Sequence, residues 1–197
     1  MTMSSILVAA DPAVDLAVAA AFATELEAYL VDDQLYRTVF VQTPAGSRSL
    51  QMTGGDLLAR LYRLQQERSN LSSAQQTQLD AVQQRTDATI YSLRTRFHQR
   101  LQREAKARLS SLKWFLDDCR SDRQRCRVEF PFEIRNRQRL EEILKELDYK
   151  PGEEIEMELH AIDGRIRAVA RAGDFIWDER LKPFFPHQPY WYLYMLP

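Results

Sequence analysis

The sequence contains few of the residues that mark a catalytic or metal-binding site. Its 197 residues include two cysteines, three histidines and six glycines. It has no Gly-x-Ser-x-Gly nucleophile elbow, no His-Glu-x-x-His zinc helix and no Cys-x-x-Cys pair. We therefore predict no catalytic residue, no metal ligand and no bound cofactor, and we expect a protein that is not an enzyme.

The features of a secreted or membrane protein are also missing from the sequence. Six residues separate Cys119 from Cys126 and no second pair accompanies them, so the pattern indicates neither a disulfide framework nor a zinc site. No apolar run approaches the length that spans a bilayer. Met1–Ala10 is too short and too polar for a signal peptide. We expect a cytoplasmic protein that does not bind membranes.

Glycine and proline are absent from Ser72 to Arg127, where apolar residues recur about every 3.6 positions, the period of a straight α-helix. This apolar register comprises Leu79, Val82, Thr86, Ile90, Leu93, Phe97, Leu101, Ala105, Leu109, Leu112, Leu116 and Cys119. A helix over residues 73–119 would be roughly 70 Å long, beyond the ~35–40 Å of a compact domain of this size. We predict that it projects and self-associates; the alternative is a break near Ser110 and Ser111.

The same segment carries the strongest concentration of positive charge. Residues 92–127 contain eleven Lys and Arg residues against four acids, a net +7, whereas residues 1–91 and 128–197 each carry a net −4. A helical wheel places Arg85, Arg96 and Arg103 on one stripe with Arg100 beside it. Such a stripe is a candidate nucleic-acid surface. The alternative is that the acidic flanks neutralise the helix within the chain.

Ahead of the long helix, the sequence predicts a helix, a β-hairpin and a second helix. Residues 11–31 form an amphipathic pattern that opens at Asp11-Pro12. Tyr36–Thr43 and Arg48–Met52 alternate like strands around a four-residue loop, which sets Val41 opposite Leu50. Asp56 then begins a helix over residues 57–69, antiparallel to the long helix. Thr53-Gly54-Gly55 lacks the Lys-Ser/Thr of a phosphate loop, so we predict no nucleotide site there.

After Arg127 the sequence predicts a C-terminal α+β unit. A short apolar stretch, Val128–Phe132, is stopped by Pro131, and residues 133–147 have the pattern of a helix. Glu154–Ala161 alternates like a strand, and Asp163-Gly164 is typical of a two-residue hairpin turn. In that hairpin the glutamates and His160 would face arginines, which argues against a metal site on this face.

The last segment is rich in aromatic residues. Eight of the chain's twenty lie between Phe175 and Pro197, and four prolines in this segment argue against a helix. We predict an extended tail with one strand near Tyr190–Met195. Its first role would be to seal the predicted C-terminal sheet, its second to form a protein interface, and its third to stack on bases. The candidate interface residues are Trp177, Tyr190, Trp191, Tyr192 and Tyr194.

Together these patterns predict a mainly α protein with small antiparallel β-hairpins (α+β), whose long central helix lies in an antiparallel helical hairpin. The predicted segments are 1–71, 72–123 and 124–197, packed as one cooperative unit. The function that these patterns favour is a protein–protein interaction or complex-assembly subunit that self-associates or binds a protein partner. The first alternative is a nucleic-acid-binding accessory subunit, and the second is an enzyme on an unfamiliar scaffold.

Overall fold

The computed structural model describes residues 11–32, 34–43 and 46–197. Over these residues the fold is 75% helical, with eight α-helices and two small antiparallel two-stranded sheets, which confirms the predicted fold class. The signal-peptide prediction for residues 1–10 lies outside the described residues.

The helices and strands follow one another in the order α1–β1–β2–α2–α3–α4–α5–α6–α7–β3–α8–β4. The helices are α1 (Pro12–Val31), α2 (Gly54–Gln66), α3 (Ser73–Ser92), α4 (Arg94–Ser121), α5 (Arg123–Glu133), α6 (Arg135–Glu146), α7 (Glu153–Val169) and α8 (His187–Tyr190). The strands are β1 (Arg37–Thr43), β2 (Gly46–Met52), β3 (Arg171–Ala172) and β4 (Met195–Leu196). Short 3₁₀ helices occupy Arg68–Asn70, Glu179–Phe184 and Trp191–Tyr194.

The chain divides into two compact units, one ending at Glu104 and the other beginning at Ala105. The division falls inside α4, so this helix contributes its first turns to one unit and its remaining turns to the other. The three segments predicted from the sequence have their boundaries elsewhere, at 71/72 and 123/124.

The first unit is built around α1, as the sequence predicts. Asp11 caps this helix, because its carboxylate accepts a hydrogen bond of 2.8 Å from the backbone N–H of Ala13, and Pro12 occupies the first turn. The helix packs against α2, α3 and β1. Its inward side chains include Val14, Val18, Phe22, Leu26, Tyr29 and Leu30, all buried.

The β1–β2 hairpin forms, but its predicted register is wrong by two residues. Val39 pairs with Leu50 and Val41 with Arg48, and the pairing extends to Thr43 and Gly46. Gly46 has a φ of +106°, a conformation that glycine adopts without strain, and β2 therefore begins two residues earlier than predicted. Residues 44 and 45, part of the predicted loop, lie outside the described residues. A shift of two keeps each side chain on its predicted face.

The prediction of a single long helix is wrong, because the helix is interrupted at Leu93. This residue has φ −120° and ψ 29°, which separates α3, of 20 residues, from α4, of 28 residues. Ser110 and Ser111, the predicted alternative, lie inside α4. Leucine is a good helix former, so helix propensity does not explain the break. We attribute it to tertiary packing, because Phe97, one turn later, lies fully buried against the start of α2.

The start of α2 lies directly on α4. A Cβ atom on Gly54 would lie 2.9 Å from Leu101 Cδ2 and 3.0 Å from Phe97 Cε2, so only glycine fits without a shift. The fully buried Glu104 carboxylate accepts hydrogen bonds from Thr53 Oγ1 at 2.7 Å and from the backbone N–H of Gly55 at 2.8 Å. A negative group is favourable at a helix N-terminus, because unpaired N–H groups concentrate there.

A buried cluster of four charges joins α1 to α2. The Asp15 carboxylate pairs with the guanidinium groups of both Arg60 and Arg63, and Asp56 accepts from Arg60 Nε at 3.1 Å. Burial alone would lower the pKa of Arg60, but Asp56 and Asp15 raise it above its ordinary value. Removing one partner from such a cluster typically costs about 3–5 kcal/mol, because an uncompensated charge stays buried.

In the second unit, the hairpin predicted over residues 154–171 is wrong, because this segment is the helix α7. Ile155, Ile162 and Ile166 are buried at helical spacing, whereas Met157 and Ala161, which share the apolar side of the strand-like alternation with Ile155, are exposed. Gly152 precedes the helix with a φ of +107°, and three glutamates lie in its first turn, where the helix dipole favours them. The Asp163-Gly164 dipeptide lies inside the helix rather than in a turn.

Two other C-terminal predictions also fail. Pro131 does not stop the apolar stretch Val128–Phe132 but lies inside α5, where its carbonyl accepts a hydrogen bond of 2.9 Å from Trp177 Nε1. The aromatic tail contains short helical turns rather than an extended chain, and its only described strand, β4, pairs with β3. The predicted helix over residues 133–147 is confirmed as α6.

We expect alanine to have opposite effects at Gly54 and Gly164. Gly54→Ala should lower the free energy of unfolding by about 1–3 kcal/mol, because it overpacks Phe97 and Leu101. Gly164→Ala is the matched control: no atom lies within 4 Å of its new Cβ, and a helix-interior Gly→Ala change should stabilise by about 0.5–1 kcal/mol. Urea denaturation measures both. A stabilising Gly54→Ala would contradict the close approach of α2 to α4.

Candidate functional site

The predicted basic stripe does not form as a single solvated surface. Arg100 is only 6% exposed, its guanidinium donates to the backbone carbonyl of Asp32, and it lies 5.0 Å from the centre of the Tyr29 ring. Arg96 and Arg103 are exposed, and Arg85, also exposed, donates a hydrogen bond of 3.0 Å to Thr24 Oγ1. The prediction is therefore wrong for Arg100, which lies on the buried side of α4 three residues after Phe97.

Most of the candidate tail interface belongs to the core. Tyr190 and Tyr192 are 1% and 0% exposed, and Trp177 is also buried. Tyr190 and Trp177 pack edge-on against Phe185, with ring centres 4.9 Å and 5.4 Å from its own. The burial of these three rings agrees with a sealing role, the first of the three predicted for the tail. Tyr190 and Trp177 pack around Phe185 and do not cover the predicted sheet.

The other two tail candidates are partly exposed but held in place. The guanidinium of Arg167 on α7 lies 3.9 Å from the centre of the Trp191 ring, a cation–π contact. Tyr194 donates a hydrogen bond of 2.7 Å from its hydroxyl to the backbone carbonyl of Phe185. Both rings therefore fix the path of the tail.

The most exposed large apolar side chain on α4 is Trp114, with 75% of its surface accessible. The apolar register itself is buried in the second unit, from Ala105 to Cys119. Sequence analysis did not identify Trp114 as a candidate. The signal was present, because Trp114 lies off the apolar register between two buried positions, Leu112 and Leu116, and a tryptophan on the polar side of a helix has no core to fill.

Two ion pairs place the exposed face of α7 beside Trp114. Lys106 pairs with Glu154, and Arg165 donates to Asp117 at 2.8 Å. On α4, Asp117 follows Lys106 by eleven residues. Their partners on α7, Glu154 and Arg165, are separated by the same number in the same order, so the two helices run parallel. Trp114 lies one turn before Asp117, and Ala161 lies one turn before Arg165. The two exposed faces are therefore neighbours.

The exposed stripe on α7 is made of small side chains and one methionine. Its residues recur at helical spacing and all are exposed: Met157, Ala161, Gly164 and Ala168. Met157 is 74% accessible, and a Cβ on Gly164 would meet no atom within 4 Å. We call Trp114 and this stripe together the Trp114 face. It combines the exposed ring of Trp114 with the apolar stripe on α7, and we call this stripe the shelf.

A second candidate is a buried carboxylate in the second unit. Burial raises the pKa of Glu142 above its ordinary value, although Lys145, Tyr190 and Gln138 oppose this shift. Raised carboxyl pKa values are typical of catalytic acids. Here, however, hydrogen bonds engage both oxygens: Tyr190 and Gln138 donate to Oε1 at 2.8 Å and 3.0 Å, and Lys145 donates to Oε2 at 3.1 Å. The arrangement therefore joins α6 to the tail.

Beside it, Arg137 and Tyr192 form a buried pair. The guanidinium lies 4.7 Å from the centre of the Tyr192 ring and donates to Asp163 at 2.8 Å and to Glu141 at 3.0 Å. Burial raises the pKa of Tyr192 well above its ordinary value. Its hydroxyl has no hydrogen-bond partner among the described residues.

Cys119 and Cys126 form a disulfide, which the sequence pattern did not indicate. Seven residues of continuous helix would separate their Cα atoms by about 10 Å, but they lie 4.8 Å apart. Asp122 makes this approach possible, because its extended backbone ends α4 and its carboxylate accepts a hydrogen bond of 2.9 Å from Arg125 N–H to cap α5. The predicted central segment, residues 72–123, runs as one helix through Asp122, which would keep the two cysteines apart.

Metal binding and membrane insertion find no support in the part of the chain that the structure describes. Among residues 11–32, 34–43 and 46–197, no three His, Cys, Asp or Glu side chains converge in a way that could hold a metal ion. None of the helices in these ranges combines the length and apolar character needed to cross a bilayer. The glutamates of α7 and His160 lie on an exposed helix face instead of the predicted strand.

The Glu142 environment predicts a specific pH dependence. Because the folded state holds this proton more tightly than the unfolded state, the folded form should lose stability as the pH rises above the ordinary value of 4.5. Glu142→Gln cannot ionise and keeps an acceptor for Tyr190, so its stability should improve relative to wild type across that rise.

Urea denaturation at pH 4 to 8 measures the difference between the two proteins. Glu156→Gln, which makes the same change at an exposed position on α7, is the matched control. A constant difference between wild type and Glu142→Gln would contradict the effect of burial on this carboxyl.

Comparison with known proteins adds no relative to these observations. No protein-family model matches the chain. No curated protein and no solved structure matches it either.

Proposed function

We propose that this protein is a non-enzymatic, cytoplasmic complex-assembly subunit whose partner at the Trp114 face is a second copy of the chain. The observation that carries the proposal is the 75% exposure of Trp114 beside the apolar stripe of α7. Tryptophan is enriched among the residues that dominate binding energy at protein interfaces. A solvent-exposed indole next to small side chains is typical of an interface residue that becomes buried when a partner binds.

Self-association follows from the shape of this face. The ring of Trp114 projects, whereas Ala161, Gly164 and Ala168 leave room for a large side chain above α7. In a two-fold dimer the same surface meets itself, so a projection and its shelf must both be present on one protomer. The Trp114 face has both, and each ring would cover the small-residue stripe of the partner.

The grounds for self-association differ from those in the sequence analysis. The predicted cause was an apolar register too long for the chain to cover. In the structure the helix is interrupted at Leu93. Most of that register is buried, including Leu101, Leu109 and Leu116. The tail residues Tyr190 and Tyr192 are buried as well. The proposed interface therefore lies on the outer side of α4 and α7.

The test is the mass of the protein in solution. Light scattering at micromolar concentration should give a dimer for wild type and a monomer for Trp114→Ala, because the substitution removes the anchor. Gly164→Glu should also give a monomer, because it places a charge on the shelf at a position where the protomer has space. Neither change should alter the helical content.

Phe40→Ala is the matched control, because Phe40 is 83% exposed on β1 and does not belong to the Trp114 face. This variant should remain dimeric. A wild-type mass that stays monomeric at all concentrations, or a dimer that survives Trp114→Ala, would refute the proposal.

Nucleic-acid binding is a second candidate function, favoured by the exposure of Arg96 and Arg103. These residues lie seven positions apart on α4, which places them two turns apart on one face. Arg85, on α3, is exposed too. With Arg100 buried, the stripe offers fewer cations than the sequence predicts, so we expect weak, sequence-independent binding to phosphates.

Salt dependence tests this second function. Affinity for a single-stranded RNA of about 20 nucleotides should fall as salt increases, because binding releases counterions. Arg96→Gln combined with Arg103→Gln should reduce the slope of log affinity against log salt by about 1.4, roughly 0.7 per contact. Trp114→Ala should leave that slope unchanged. Undetectable binding of wild type at about 50 mM salt, where this electrostatic contribution is strong, would rule the function out.

A further inference from the structure

The Cys119–Cys126 disulfide forms part of the wall of a cavity in the second unit. The cavity has a volume of about 320 Å³, within the range of small-molecule sites. Arg120 and Arg123 line it together with the two cysteines. The remaining lining residues are Ala168 and Val169 of α7 and Pro197. A covalent bond that thiols can cleave therefore faces a space large enough for a small molecule.

The two arginines are available to a ligand. Among the described residues, neither the Arg120 nor the Arg123 guanidinium takes part in a hydrogen bond or ion pair, and both side chains are exposed. Their neighbours are engaged, since Arg125 pairs with Glu129 at 2.8 Å and Arg127 donates to the Pro197 carbonyl oxygen at 3.2 Å. Two guanidinium groups that make no ion pair among the described residues lie beside the disulfide and favour the approach of an anion.

We propose that this cavity is a thiol–disulfide exchange site for a small thiol that carries a carboxylate. The carboxylate binds Arg120 and Arg123 while the thiolate attacks the disulfide. The exchange chemistry does not require the assembly at the Trp114 face, although Ala168 belongs both to that face and to the cavity wall. Small size is required because the cysteines are only 4% and 3% exposed, which keeps a thiol on a protein surface from reaching them outside the cavity.

The exchange has a defined direction. Cys126 lies in the first turns of α5, one turn after Arg123, where the helix dipole and the guanidinium stabilise a thiolate. Cys119 lies in the last turn of α4, where the dipole has the opposite sign. The incoming thiolate therefore bonds to Cys119 Sγ, the Cys119–Cys126 bond breaks, and its electron pair leaves on Cys126 Sγ.

A second molecule of the small thiol completes the reaction. Its thiolate attacks the small-thiol sulfur of the mixed disulfide, and the electron pair of that bond leaves on Cys119 Sγ. Two small thiols are oxidised to one symmetric disulfide, and the protein disulfide is reduced by two electrons to two thiols. Each thiolate that leaves takes a proton from water. The reverse sequence reoxidises the protein.

Reduction rates of the folded, oxidised protein test the site. The reductants are 3-mercaptopropionate, 2-mercaptoethanol and cysteamine, which are anionic, neutral and cationic thiols of similar size. Each rate is divided by that for the protein unfolded in urea, which removes the intrinsic reactivity of the thiol. In the folded protein we expect 3-mercaptopropionate to have an advantage of about ten-fold or more over cysteamine, the scale of electrostatic steering.

Arg120→Gln combined with Arg123→Gln should remove that advantage. Arg94→Gln combined with Arg96→Gln, which makes the same change in charge at exposed residues that do not line the cavity, should keep it. Equal normalised rates for the three thiols in wild type, or an advantage that survives the Arg120/Arg123 change, would overturn the proposal. The proposal would also be overturned if both cysteines remained free thiols after the protein had been exposed to an oxidising disulfide.

The assigned sulfur has its own test. Cys119→Ser, treated with the symmetric disulfide of 3-mercaptopropionate near neutral pH, should form a mixed disulfide at Cys126 faster than Cys126→Ser forms one at Cys119, as read by peptide mass, because the sulfur that leaves more readily is also the more abundant thiolate. Circular dichroism of both variants checks that they fold. The opposite order of rates would contradict attack at Cys119.

Discussion

The first unit depends on the docking of the start of α2 against α4. Gly54 allows the two backbones to approach, and the Glu104 carboxylate binds Thr53 and the N–H of Gly55 across fifty residues of chain. Both contacts are made by the part of α4 that follows Leu93. The Thr53-Gly54-Gly55 segment is therefore an anion-binding helix start whose anion comes from the chain itself. This explains why a glycine pair that precedes a helix does not indicate a phosphate site here.

Several arginines hold helices or the tail in place within each unit. Arg60 and Arg63 neutralise Asp15 between α1 and α2, Arg100 covers Tyr29, and Arg137 joins Asp163 to the Tyr192 ring. A guanidinium can pair with a carboxylate and stack on an aromatic ring, and it is less strongly hydrated than an ammonium group. These contacts lower the cost of burying charge. The high arginine content of the sequence is therefore weaker evidence for nucleic-acid binding than the net charge of the central segment suggests.

The sequence predicts helices well where local signals and burial agree, and poorly where tertiary contacts decide. Asp11-Pro12 and the apolar face that follows predict α1 closely. Asp163-Gly164 looks like a hairpin turn, yet Ile155, Ile162 and Ile166 bury at helical spacing and override it. No residue type marks the break at Leu93. The candidate site was harder still, because one exposed tryptophan becomes a surface only when another helix lies beside it, and Arg100 becomes unavailable only when Asp32 and Tyr29 surround it.

The exposure of Trp114 gives the protein an intrinsic optical reporter. The chain has three tryptophans, and the other two differ from Trp114 in their surroundings: Trp177 is buried with its indole N–H bonded to Pro131, and Trp191 lies under Arg167. Red-shifted, readily quenched fluorescence should therefore come from one ring on the outside of α4. Any molecule that covers this face would shift that emission to shorter wavelength without a label.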